Sequence, residues 1–141
     1  MVLIDAADLI LGRIAAYAAK QALLGEKVDV VNCEKAVITG SRAHLLETYR
    51  HKIRRGAPRF GPHFPRNAER IMRRTIRGML PHKKERGREI FTRVMCYTGV
   101  PPGRGFENQK AAQIQRAHVS KIPTTKYMRL GEIARLVGSK Q

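Results

Sequence analysis

What most constrains this chain is the order of apolar runs in its N-terminal third. Val2–Asp5 is a short apolar run and Leu11–Leu24 an alanine-rich helical segment that Gly25 can close as a C-cap. Lys27–Asn32 and Ala36–Thr39 are β-branched and short enough for strands. Gly40 then breaks the chain, and Ser41 can cap a helix running to about Arg54, with Ala43, Leu46, Tyr49 and Ile53 as its apolar stripe. A strand joined to the next strand through a helix needs a crossover, so this order predicts a largely parallel sheet with helices on both faces. Val94–Tyr97 is the best candidate for a fourth strand. The expected fold is therefore α/β, three layers in the order α/β/α around a four-stranded, mostly parallel sheet. Residues 106–141 read as an ordered but irregular C-terminal arm closing with a short helix, Leu130–Gly138. A length of 141 residues suits one domain spanning 1–141, and 43% hydrophobic residues are enough for a buried core.

The segment RNAERIMRRTIRGMLP, Arg66–Pro81, is of another kind. At about 100° per residue, Arg66, Arg70, Arg73, Arg74 and Arg77 fall in one sector roughly a quarter-turn wide, opposite Ala68, Ile71, Met72, Thr75, Ile76 and Met79. This predicts an amphipathic helix with Asn67 as a candidate N-cap, ended by Gly78 and by Leu80, which Pro81 pushes out of the α region. Solvated helix faces usually mix charges of both signs. Here like charges stack at 66/70, 70/74 and 73/77, so an anion should lie against them, whether nucleic acid or a membrane surface.

Charge narrows the choice of partner. Lys and Arg number 28 against 11 Asp and Glu, a formal +17 that implies a polyanionic partner. Between Arg50 and Arg93 stand 15 of the 28 basic residues, opposed only by Glu69, Glu85 and Glu89, which makes the middle of the chain the binding segment. The arginine helix is flanked by RGAPRFGPHFPR, Arg55–Arg66, and PHKKERGRE, Pro81–Glu89, both broken by proline and glycine and expected to be irregular. Arginine interleaved with Phe and His suits structured RNA, because guanidinium groups pair with phosphates while flat rings stack on exposed bases. The competing reading is that Phe60 and Phe64 tuck into the core beneath the loop. The candidate RNA-binding residues are Arg54, Arg55, Arg59 and His63 before the helix, Arg66, Arg70, Arg73, Arg74 and Arg77 on it, and Lys83, Lys84, Arg86 and Arg88 after it. If Ile71, Met72 and Ile76 dock the helix on the sheet, these groups extend one positive surface beyond both helix ends.

Other classes find little support. No window approaches the roughly eighteen apolar residues of a bilayer span, and the N-terminus carries Asp5, Asp8 and Arg13 without a basic lead, so an intracellular protein is expected. Cys33 and Cys96 lie in apolar runs outside any C-x-x-C pair and are expected to be buried, reduced thiols. His44, His51, His63, His82 and His118 lack zinc-ligand spacing. DAADLILGRIA offers one glycine, Gly12, where a dinucleotide site wants three, and GVPPGRGFEN reads as a turn. No convergent pair stands out among Asp5, Asp8, Asp29, Glu34, Glu47 and Glu69, so no catalytic residue, metal or cofactor is assigned.

Four stretches, IDAADLILGRIA, VVNCEKAVITG, RRTIRGMLPHKKERGRE and VMCYTGVP, together resemble the universal large-subunit ribosomal protein thirteen family in order and spacing. The resemblance covers roughly Val2 to Pro101, and RGMLP within a basic helix is its most specific piece. The run GPHFPRNAERIMRRTIRGMLP, in a chain starting almost directly at its first strand, looks like the archaeal and eukaryotic branch. The resemblance implies an α/β sandwich around a four-stranded, mostly parallel sheet. It also implies a seat on large-subunit rRNA of the 23S type in the cytoplasmic ribosome, beside neighbouring ribosomal proteins, with no membrane, small-molecule substrate or cofactor. A different reading makes the chain a free-standing basic regulator that binds DNA or mRNA. Such a protein would more naturally mix Asn, Gln or Ser into its recognition helix, and Arg66–Pro81 offers few of these.

Overall fold

The computed structural model describes residues 1–106 and 109–139. In chain order the elements are β1 (Val2–Asp5), α1 (Leu11–Leu23), β2 (Val28–Val31), β3 (Val37–Thr39), α2 (Arg42–Arg54), α3 (Ala68–Gly78), α4 (Glu85–Thr92), β4 (Val94–Cys96), β5 (Tyr127–Arg129) and α5 (Leu130–Leu136). Glu107, Asn108, Lys140 and Gln141 of the expected C-terminal arm lie outside the described residues.

The N-terminal pattern folds as its residues suggest. Leu11, Ile14, Ala15, Ala18, Ala19 and Ala22 form the buried stripe of α1. Small alanines let the helix pack closely against α3 (Ala68–Gly78). Gly25, at φ 97°, follows the helix, with Gly25 N–H donating to Ala22 O and Glu26 N–H to Gln21 O, both at 3.1 Å. That pair of bonds is the Schellman closure, and its positive φ is the reason a glycine stands there. β1, β2 and β4 then pair in parallel in the order β1-β2-β4, with Val2 opposite Val28 and Val28 opposite Val94.

The expected four-stranded, three-layer arrangement is met only in part. The sheet has three parallel strands, and Ala36–Thr39 supplies a strand of a separate antiparallel pair, with Val37 opposite Arg129 and Thr39 opposite Tyr127. β2 already has neighbours on both sides. The outer edge of β1 is also occupied, because Leu3 O accepts from Ala112 N–H at 2.8 Å in the C-terminal arm. Asn32, in the left-handed region at φ 54°, opens a 3-10 turn over Cys33–Lys35 that carries β3 off the sheet.

The layers follow from the strand order. Moving from β1 to β2 to β4, the chain always steps the same way, so right-handed crossovers put both connections on one face. Accordingly Ile4, Val28, Val30, Val94 and Cys96 share a single core with buried residues from all five helices, including Ile14, Tyr49, Ile76, Ile90 and Ile133. The alternate residues Leu3 and Val31 face the other way, where Phe106 and Tyr97 of the later chain cover them. Among the described residues the sheet shows no reversal in winding direction, the place at which open α/β sheets bind nucleotides.

Three local expectations change. The buried stripe of α2 runs through Leu45 and Tyr49, while Ala43 is exposed. Met79 caps α3 and lies 44% exposed, and the buried residue past the helix end is Leu80. Gly87 does not break its segment: it lies buried within α4, where a Cβ would stand 2.1 Å from Pro81 O.

Candidate nucleic-acid interface

α3 is the centre of the basic region. Asn67 holds the N-cap position, and Ala68, Ile71, Met72 and Ile76 are buried toward α1 and β4. On the opposite side the five arginines do not behave alike. Arg66, Arg70 and Arg77 are exposed, whereas Arg73 and Arg74 are half-buried and turn to opposite flanks. Arg73 Nε donates to Val94 O at 3.0 Å, and its guanidinium lies 4.5 Å from the Phe91 ring centroid. Arg74 Nη1 donates to His63 O at 3.2 Å and lies 4.8 Å over the Phe64 ring. Thus Arg73 holds α4 and β4, Arg74 holds the preceding loop, and Arg70 and Arg77 form the ridge between; Arg66, expected on the helix, precedes its N-cap and turns its guanidinium toward Gly138 of the C-terminal arm. Arg70 and Arg77, seven residues apart, are separated by about 10 Å along the helix axis.

The loop Arg55–Arg66 is built from both sides. Ala57 and Gly61 exchange backbone bonds of 3.2 and 2.8 Å, and Gly56 crosses the chain so closely that a Cβ would meet Gly61 O at 2.2 Å. Phe64 packs edge-on against Tyr49, centroids 5.9 Å apart, while Phe60 at the turn is 91% exposed. One phenylalanine therefore tucks under the loop and the other does not. Tyr49, Arg55, Pro62, Phe64, Ile71, Arg74 and Thr75 line a cleft of about 380 Å³ with Lys52, whose Nζ lies 5.0 Å from the Tyr49 ring centroid. Lys52 was not among the sequence candidates. Its position in the last turns of α2, ahead of a basic loop, was the available signal.

The loop lies alongside α3, not beyond its end. After α3, Lys83 and Lys84 precede α4 and Arg86 and Arg88 stand on it, all four exposed. Arg54, Arg55, Arg59 and His63 are exposed as well. None of the thirteen candidates makes an ion pair among the described residues, and only Arg73 and Arg74 donate side-chain hydrogen bonds. The ion pairs that do form, Met1–Glu26, Arg42–Glu132, Arg93–Glu89 and Arg129–Asp8, lie elsewhere. Such a surface suits an anion with many charges at spaced positions.

Groups associated with other chemistry are placed differently. Cys33 and Cys96 are buried free thiols, as expected, but the fold brings them together. The Cys96 thiol beside it, and then burial, push the Cys33 thiol far above the ordinary range, so it stays protonated. Asp29, 2% exposed on β2, has its carboxyl pushed up by burial against the opposing pull of Lys27 and Arg104. Among the described residues no group of three or more His, Cys, Asp or Glu side chains is disposed to hold a metal, and no helix is long and apolar enough to cross a membrane.

A one-sidedly helical α/β domain with a guanidinium ridge that has no ion pair among the described residues, set between two anchored basic arms, presents the charge pattern a polyanion would complement. The family model described as Ribosomal protein L13 matches residues 1–102. The large ribosomal subunit protein uL13 of Methanosarcina barkeri is 47% identical over 141 residues, covering 99% of each chain. That of Archaeoglobus fulgidus is 47% identical over 138 residues, 96% of this chain and 86% of its own. That of Methanocaldococcus jannaschii is 44% identical over 144 residues, 99% of each. The chain belongs to the ribosomal protein L13 family, and its likeness to archaeal relatives continues through the C-terminal arm.

Proposed function

We propose that this protein is a structural constituent of the large ribosomal subunit that binds and stabilises folded rRNA of the 23S type. Family membership supports the ribosomal role. The observation that carries the binding surface is the exposed pair Arg70 and Arg77 on one face of α3, with exposed Arg66 before the helix, none of which has an ion pair among the described residues, bordered by arms fixed through Arg73 and Arg74. A ridge of like charges is unfavourable in the free protein and becomes favourable when phosphates lie against it. Arg54, Arg55, Arg59 and His63 extend the surface along the loop, and Lys83, Lys84, Arg86 and Arg88 extend it past the helix end. Arg73 and Arg74 serve it chiefly by holding the two flanks. Neighbouring ribosomal proteins are the second class of partner, and no catalytic step is assigned.

Sedimentation of a cell extract through a gradient at moderate salt tests the assignment. Co-migration with the large subunit is expected. A protein that stays near the top of the gradient, or follows DNA or mRNA, would make the regulator reading the better one.

A further inference from the structure

We propose that Phe60 is a stacking anchor, its ring packing on an unpaired base of the bound RNA. The inference rests on the rRNA-binding reading and adds to it a contact that charge alone does not supply. An aromatic ring 91% exposed at a loop tip is unfavourable in water. Loop slackness does not explain it, since Phe64 of the same loop is packed on Tyr49. Nor does the backbone leave the ring free to sink: the paired bonds between Ala57 and Gly61, the crossing at Gly56 and the Arg74 bond to His63 O fix the turn beneath it. With the turn fixed, only the ring's own torsions remain to be ordered on binding, which favours a preformed contact.

The surroundings select the partner. From Thr48 to Ala68 the chain contains no acidic residue, and Arg55, Arg59 and His63 beside Phe60 are exposed. An apolar protein pocket closing over Phe60 would have to bury or face these cations. RNA meets both needs, with a base face for the ring and phosphates for the guanidinium groups. The base must be unpaired, because in A-form duplex both faces are taken by stacking and the major groove is too narrow for the side chain.

The chain has no tryptophan, so Phe60→Trp introduces a single reporter at the proposed contact. Titration uses the full chain and protein-free 23S-type rRNA. Phe60→Trp should bind within a few-fold of wild type, with its emission quenched at saturation. Phe60→Ala should bind about 5- to 150-fold more weakly, the loss of one stacked base, with an unchanged slope of affinity against salt. Arg59→Ala should instead lower that slope by nearly one unit. Phe60→Leu keeps apolar bulk without a π face and should bind nearly as poorly as the alanine variant. Because the side chain is exposed, the free variants should melt with wild type.

Wild-type affinity in Phe60→Ala with unquenched Phe60→Trp emission overturns the proposal while leaving the rRNA-binding reading intact. Full binding by Phe60→Leu with loss in Phe60→Ala overturns it in favour of an apolar pocket. Failure of the wild-type chain to bind rRNA removes both the reading and the proposal that rests on it.

Discussion

Arg73 and Arg77 are separated by one helical turn, and a charge-only account treats them as equivalent. The structure gives them different work. The bonds from Val28 N–H to Arg93 O and from Tyr97 N–H to Val30 O point the residues flanking β4 toward β2, so by alternation Val94 O faces the open edge of the sheet. Arg73 Nε reaches that carbonyl at 3.0 Å, and its guanidinium covers the Phe91 ring at 4.5 Å. A hydrogen bond from a charged donor contributes about 1.5–3 kcal/mol and a cation–π contact about 0.5–1 kcal/mol, so Arg73→Ala should cost roughly 2–4 kcal/mol. For a domain of this length that lowers Tm by on the order of 10 °C. Arg77→Ala removes an exposed side chain from a row of like charges and should leave stability within about 0.5 kcal/mol, with a slight rise as readily as a fall. Thermal melts of the two variants side by side, without RNA, are the assay. Indistinguishable melts for Arg73→Ala and Arg77→Ala would refute the division of labour among the arginines and restore a uniform RNA-facing row.

Four further outcomes are expected. Ile76→Ala should cost about 2–5 kcal/mol in urea unfolding, since Ile76 is 0% exposed between α3 and the core; a loss below 1 kcal/mol would mean the docking face is misassigned. Gly78→Ala, with nothing within 4 Å of the new Cβ, should raise Tm slightly through helix propensity, whereas Gly87→Ala, whose Cβ would stand 2.1 Å from Pro81 O, should lower it despite the same propensity gain. If six to ten phosphates are contacted, affinity for protein-free rRNA should fall about 10³- to 10⁵-fold between roughly 50 and 200 mM salt, and a flat response would sink the phosphate-ridge account. Asp29 is raised from an ordinary 3.8, so its folded state prefers the protonated carboxyl: that contribution is full below 3.8 and is lost as pH rises through the higher folded value. The stability of Asp29→Asn relative to wild type should therefore improve with rising pH across that window, and a pH-independent difference would contradict it.

Features carried by local pattern were legible in the sequence. The α1 stripe, its glycine closure, the positions of β1, β2 and β4, and the two-faced character of α3 follow from periodicity and from single punctuating residues. Pairing was less legible. Ala36–Thr39 reads as a strand in either sheet, and it is the turn through Asn32 and Cys33–Lys35 that carries it to Tyr127–Arg129, a three-residue partner with no strand pattern of its own. Gly87 carried the wrong local meaning because its purpose is tertiary: the chain at Pro81 passes where its side chain would be. At the site, the sequence located the basic segment but could not separate Arg73 and Arg74 from their neighbours, since a helical wheel does not say what stands on either side of the sector. Phe60 and Phe64 posed the same difficulty, resolved only when Tyr49 occupied the place beside Phe64.

That separation explains how a chain of net charge +17 keeps a fixed shape while presenting so much unneutralised charge. Arginines at the borders of α3 spend their donors on backbone carbonyls, Val94 O on one side and His63 O on the other, and rest on Phe91 and Phe64. Their attachment orders the two arms without consuming any carboxylate. Carboxylates would have competed with phosphate for the same surface; carbonyls and rings do not, because they carry no net charge. The ridge of Arg70 and Arg77 therefore keeps its full charge, set between supports that do not neutralise it. Replacing a support with an acidic pair, for example Phe91→Glu facing Arg73, should hold α4 by a salt bridge yet weaken rRNA binding at fixed salt by lowering the local positive potential. Binding measured beside thermal stability separates the two effects, and an Phe91→Glu variant that folds and binds as tightly as wild type would show that neutral anchoring is incidental to the interface.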